Sequence, residues 1–114
     1  MGNHPETDLM VISESKAHFV IDVKDQYKPG YWNIRLRQER HDLYYVLVYV
    51  PDGKPNQFFV LSHADAIKTG AADLERRRQQ RKLAGQPTDR LGIMPGFSWA
   101  SGLPFKDKWE ALPR

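Results

Sequence analysis

The stretch HFVIDVKDQY, residues 18–27, decides how the chain is read. Phe19, Ile21 and Val23 alternate with His18, Val20, Asp22 and Lys24, the period of a half-buried strand. Successive side chains of a strand leave on opposite faces. Phe19, Ile21 and Val23 therefore take the core side, and Asp22 stands beside Lys24 on the other. A same-strand acid and amine can be a plain surface ion pair worth under about 1 kcal/mol. They can also face a working groove, and the surroundings decide between the two.

Upstream, DLMVIS (8–13) is a second strand-like run, joined to AHFVIDVK (17–24) by ESK, a connection of hairpin length. Such a hairpin folds Asp8 back toward the far end of FVIDVK. Downstream, Pro29 and Gly30 break the pattern. In YWNIRL (31–36), Trp32, Ile34 and Leu36 share one face. LYYVLVYV (43–50) is almost wholly β-branched, aromatic or leucine and reads as a central strand buried on both sides. PDGKPN is a turn, and QFFVL (57–61) is a fifth strand. Ser62 is a helix N-cap, with Ala64, Ile67, Ala71 and Leu74 spaced as one apolar stripe. The stripe fades into ERRRQQRKLAG, and Gly85 and Pro87 mark the stop. The second half of that helix has little to bury and is expected to project into solvent or meet a partner. The turn-rich tail carries Phe97, Trp99, Phe105 and Trp109, which should pack it back onto the sheet.

The 114 residues suit one domain, spanning 1–114, with one core. Net charge is +3, a mild tilt toward an anionic partner. Cysteine is absent, which excludes disulfides and thiolate metal sites. No apolar run reaches membrane-spanning length, and MGNHPETD is not a signal peptide, so the expectation is a cytoplasmic protein with no membrane partner. The four histidines (His4, His18, His41, His63) lack the spacing of a zinc site. His18 shares the parity of Asp22 and could border the groove.

Two carboxylates meeting beside a lysine suit a hard divalent cation that keeps several waters. Such an ion polarises a phosphoryl oxygen and lowers the pKa of bound water, while a lysine positions that water. These are the needs of phosphodiester hydrolysis.

TDLMVIS…HFVIDVK, followed by YWNIR and LYYVLVYV, resembles the PD-(D/E)xK (restriction-endonuclease-like) nuclease superfamily. The tail GFSWASGLPFKDKWEALPR is similar to the aromatic-rich ending of its small bacterial members. The resemblance runs from about Thr7 to Leu112. It implies an α/β (α+β) fold, a mixed sheet of about five strands with a helix after the fifth and an aromatic-rich C-terminal tail. It implies Mg2+ or Mn2+ held by Asp8, Asp22 and the Val23 carbonyl, Lys24 as the catalytic lysine, and DNA as substrate. Only seven residues precede Asp8, which leaves no room for the helix that the resemblance puts ahead of the first motif. Glu6 is the nearest carboxylate to stand in for that helix's acid. The face it would cover then falls to the 63–84 helix, the tail or a second copy in a homodimer. The same gap allows a catalytically incomplete relic that binds nucleic acid or a protein partner.

Lys28, Arg35, Arg37 and Arg40 follow the site and are candidates for phosphate contact, as is Gln26, which shares the parity of Asp22 and Lys24. The basic run 75–82 can lie along a nucleic-acid backbone or can simply be a solvated helix end. Trp32, Trp99 and Trp109 are read as core before base-stacking platforms.

Overall fold

The computed structural model describes residues 7–34, 40–88 and 96–114, with residues 7 and 8 described by backbone alone. Strands β1 (Thr7–Ile12), β2 (His18–Gln26), β3 (Trp32–Asn33), β4 (Leu43–Tyr49) and β5 (Gln57–Ser62) precede helix α1 (His63–Leu83). Then come β6 (Gly96–Phe97), the short helix α2 (Trp99–Gly102) and two 3-10 turns, Leu103–Phe105 and Trp109–Ala111. The fold is mixed α/β. Four strands make one sheet in the order β1-β2-β4-β5, and β3 pairs with β6 in a separate ribbon. β2 and β4 run parallel, while the pairs β1–β2 and β4–β5 are antiparallel. The five strands expected ahead of the helix are present, but the third crosses over the sheet instead of joining it. Among the described residues no helix is long and apolar enough to cross a membrane.

Both faces of the sheet carry apolar residues. On one, Val20, Leu43, Tyr45, Leu47, Phe59 and Leu61 pack with Trp32, Ile34 and Phe97 and with Ala66 of α1. On the other, Phe19, Ile21, Val46 and Val60 pack with Ala111 and Leu112 of the tail. β4 lies between β2 and β5 and contributes to both, as its unbroken apolar run requires.

The tail packs back as its aromatics imply. Trp99 stacks on Trp32 at 5.8 Å between ring centroids, 15° from parallel. The chain then rounds the β5 edge, where the Asp107 N–H donates to the Phe58 carbonyl at 2.9 Å. Trp109 meets the Phe58 ring on the second face. The Ser15 hydroxyl donates to the Arg114 carbonyl, tying the tail to the β1–β2 turn.

α1 begins where Ser62 places it, with the serine hydroxyl accepting the Asp65 N–H at 3.1 Å. Its docked stripe is not the expected one. Ala64 and Ala71 are exposed, Ile67 is 38 % exposed, and of the four only Leu74 is partly buried. The buried positions are His63, Ala66 and Asp73. Polar contacts and a close backbone approach outcompete the apolar stripe. Asp73 accepts the Ser98 N–H at 2.6 Å and the Ser101 hydroxyl at 2.9 Å, holding the start of α2. A turn earlier, Gly70 sits so near β6 that a Cβ there would lie 3.0 Å from the Gly96 carbonyl oxygen.

Candidate active site

The strand register assembles the site. Asp8 stands directly across from Asp22, and Asp22 across from Tyr45 on the other side. Residues opposite one another in neighbouring strands share a face, so positions 8, 22 and 45 form one row across β1, β2 and β4. Lys24 follows Asp22 on the same face. Its Nζ lies 3.5 Å from Asp22 Oδ1. The acid–amine pair read from the sequence therefore exists, with the first-motif position beside it; the side chain of Asp8 lies outside the description.

The row does not open into a shallow groove at Asp22. This carboxylate is 1 % exposed, on the face that α1 covers, whereas the Lys24 side chain is 19 % exposed. An ionised carboxylate this deep is costly unless charge or hydrogen bonding compensates it. The ammonium 3.5 Å away supplies part of that compensation.

Two further side chains belong to the same face, and the sequence reading missed both as site residues. Tyr45 is fully buried, and its hydroxyl lies 3.0 Å from His63 Nδ1 at the first position of α1. The bond joins the β4 neighbour of Asp22 to the helix. Within LYYVLVYV nothing separates Tyr45 from Tyr44; only the pairing with β2 does. His63 carried a weak signal, since it directly follows the N-cap serine and so occupies the turn nearest the sheet.

The remaining candidates spread out. Val23 is half-buried on β2 next to Asp22. The Gln26 amide donates to the Gly30 carbonyl at 3.2 Å, so it shapes the bend after β2. Lys28 is exposed in that bend. Arg35 and Arg37 lie outside the described residues, as do Glu6 and His4. Arg40 grips Asp42 through two nitrogens, at 2.9 and 2.7 Å. That hydrogen bonding holds the Asp42 carboxyl below its ordinary range, so the Arg40 guanidinium is engaged within its own loop. In the basic run, Arg76 bonds Asp73 at 2.8 Å, Arg81 donates to the Pro87 carbonyl at 3.2 Å, and Arg77 lies over the Tyr31 ring at 5.6 Å. His18 and His41 are exposed; Trp32 and Trp99 pack in the core as expected, whereas Trp109, also read as core, is 46 % exposed and meets the Phe58 ring.

Among the described residues no three His, Asp or Glu side chains gather as a metal cluster. Asp8, Asp22 and the Val23 carbonyl, the expected ligands, are hard oxygen donors by type, and the burial of Asp22 leaves little room for the waters that such an ion keeps. In comparisons with protein-family models, curated proteins and solved structures, no match to this chain was found.

Proposed function

We propose that the chain is a restriction-endonuclease-like, PD-(D/E)xK-type nuclease that hydrolyses DNA phosphodiester bonds with Mg2+ or Mn2+. The observation that carries this reading is the register: Asp8 opposite Asp22, with Lys24 beside Asp22 on the same face. Asp8, Asp22 and the Val23 carbonyl would hold the ion. When bound, it polarises the phosphoryl oxygen and acidifies a coordinated water. Lys24 lies where β2 nears its exposed end, so its ammonium can orient the attacking water and offset charge that builds on the phosphoryl oxygens. Asp22 holds Lys24 in place from the buried side. Lys28, Arg35 and Arg37 are the candidates for binding the phosphate backbone.

The test is nicking of supercoiled plasmid with Mn2+ against an EDTA control. Wild type should cut only with metal, and Asp22→Ala should not cut. An Asp22→Ala protein that nicks at the wild-type rate overturns the assignment.

One observation favours a second reading. The 1 % exposure of Asp22 suits a catalytically incomplete protein of the same fold, which would act as a nucleic-acid-binding or dimeric interaction module. Metal-independent DNA retardation without cleavage is its signature.

A further inference from the structure

The two edges of the sheet are treated differently. The β5 edge is blunted by the tail, through the bond from the Asp107 N–H to the Phe58 carbonyl and the Phe59–Lys106 bridge. The β1 edge has no strand partner among the described residues. It is also where apolar surface collects. Eight large hydrophobic side chains are exposed among the described residues, and three of them lie on this one six-residue strand: Met10 at 87 %, Ile12 at 62 % and Leu9 at 48 %. Proteins usually guard a bare edge with lysine, proline or a bulge. Thr7–Ile12 contains no lysine, arginine, proline or glycine, and its one charged residue, Asp8, stands near the start of the strand. The mild net charge of +3 does little to keep copies apart.

We infer that β1 pairs antiparallel with β1 of a second copy, joining two four-stranded sheets into one of eight strands. Such an edge selects an extended strand with an apolar centre as its occupant, and β1 itself is one, with Leu9, Met10 and Val11 at its middle. Antiparallel pairing of identical strands is isologous, with the two-fold axis perpendicular to the sheet. An axis through Met10 sets Met10 against its own counterpart and Leu9 against Val11 of the other copy, an apolar centre, with Asp8 opposite Ile12 at each end. The axis also keeps like faces on the same side. Both rows through positions 8 and 22 then face one way, about 20 Å apart from strand spacing and rise. That consequence, two sites presented together to one duplex, rests on the nuclease reading; the pairing itself does not.

A strand edge is a small interface, at or below about 1,200 Å2, so association in the micromolar range is expected. Sedimentation velocity on the full chain, without DNA or metal, should show a concentration-dependent monomer–dimer equilibrium. Met10→Lys sets two ammonium groups together at the axis and should leave a folded monomer, with folding checked by circular dichroism. The chain has no cysteine, so Met10→Cys can be read directly. Residues opposite each other across an antiparallel pair have Cα atoms about 4.5–5.5 Å apart, within disulfide reach. Mild oxidation should convert Met10→Cys to a covalent dimer at least tenfold faster than Leu83→Cys, a control at an 88 % exposed site on α1. A wild type that stays monomeric, or a dimer in which Met10→Cys crosslinks no faster than Leu83→Cys, overturns the pairing. Both outcomes leave the plasmid assay untouched, so this inference and the nuclease reading fail separately.

Discussion

Replacing Lys24 by methionine asks whether the Asp22 row is built for a cation. At 3.5 Å, an ammonium and a carboxylate attract by about 5 kcal/mol at an effective dielectric of 20, before desolvation is subtracted. Removing one member of a buried pair costs about 3–5 kcal/mol. Lys24 is partly exposed, so we take about 3 kcal/mol for Lys24→Met. Unfolding entropy near 2.1 cal/mol/K per residue gives this chain about 0.24 kcal/mol/K, so Tm should fall by about 12 °C. Asp22→Asn should cost less, about 1 kcal/mol, because Lys24 can turn toward water.

Mn2+ supplies the decisive arm. An ion bound with a Kd of about 1 mM stabilises the fold by about 1.4 kcal/mol at about 10 mM, or about 6 °C. Without the repelling ammonium, Lys24→Met should bind at least tenfold tighter, which raises the gain to about 2.7 kcal/mol, near 11 °C. Asp22→Asn should gain almost nothing. Differential scanning fluorimetry reads all three proteins with Mn2+ and with EDTA. Equal Mn2+ shifts for wild type, Lys24→Met and Asp22→Asn would refute the reasoning, since the ion would then be binding elsewhere.

Two further outcomes concern the frame that holds the site. Gly96 has φ +122° and a Cβ there would lie 1.8 Å from the Trp32 carbonyl oxygen, so Gly96→Ala should cost at least about 3 kcal/mol by urea denaturation. Asp73→Ala removes the acceptor of the Ser98 N–H, the Ser101 hydroxyl and Arg76 Nη1, and should lose about 2–4 kcal/mol by the same measurement.

Much of the sheet was legible because strand period and turn chemistry agree. HFVIDVK alternates cleanly, LYYVLVYV has no polar face, and Ser62 follows a strand and opens a helix, so β2, β4, β5 and the start of α1 fall near where the pattern puts them. The Asp22–Lys24 pair was legible for the same reason, since parity alone places it. What parity cannot give is register. That Asp8 meets Asp22 depends on the hairpin closing so that Ile12 faces His18, and that Tyr45 flanks Asp22 depends on a parallel pairing across a long crossover. The place of β3 was hidden too. WNI reads as any short strand, and its partner is a Gly–Phe pair more than sixty residues away.

The helix shows a different failure of pattern reading, and it bears on the site. A stripe at Ala64, Ile67, Ala71 and Leu74 is the natural apolar face, the one that hydrophobic packing alone would turn to the sheet. This helix is rotated away from that face by three fixed points: the His63–Tyr45 bond at its start, the Gly70–Gly96 approach and the Asp73 acceptor. Each is short and directional, and together they leave an alanine-rich stripe facing solvent at little cost, since alanine has little apolar area to lose. The first of these points ties the start of α1 to Tyr45, which stands opposite Asp22 in the sheet. Chain connection places the start of α1 at the end of β5, and the His63–Tyr45 bond holds that start to β4, the strand beside Asp22.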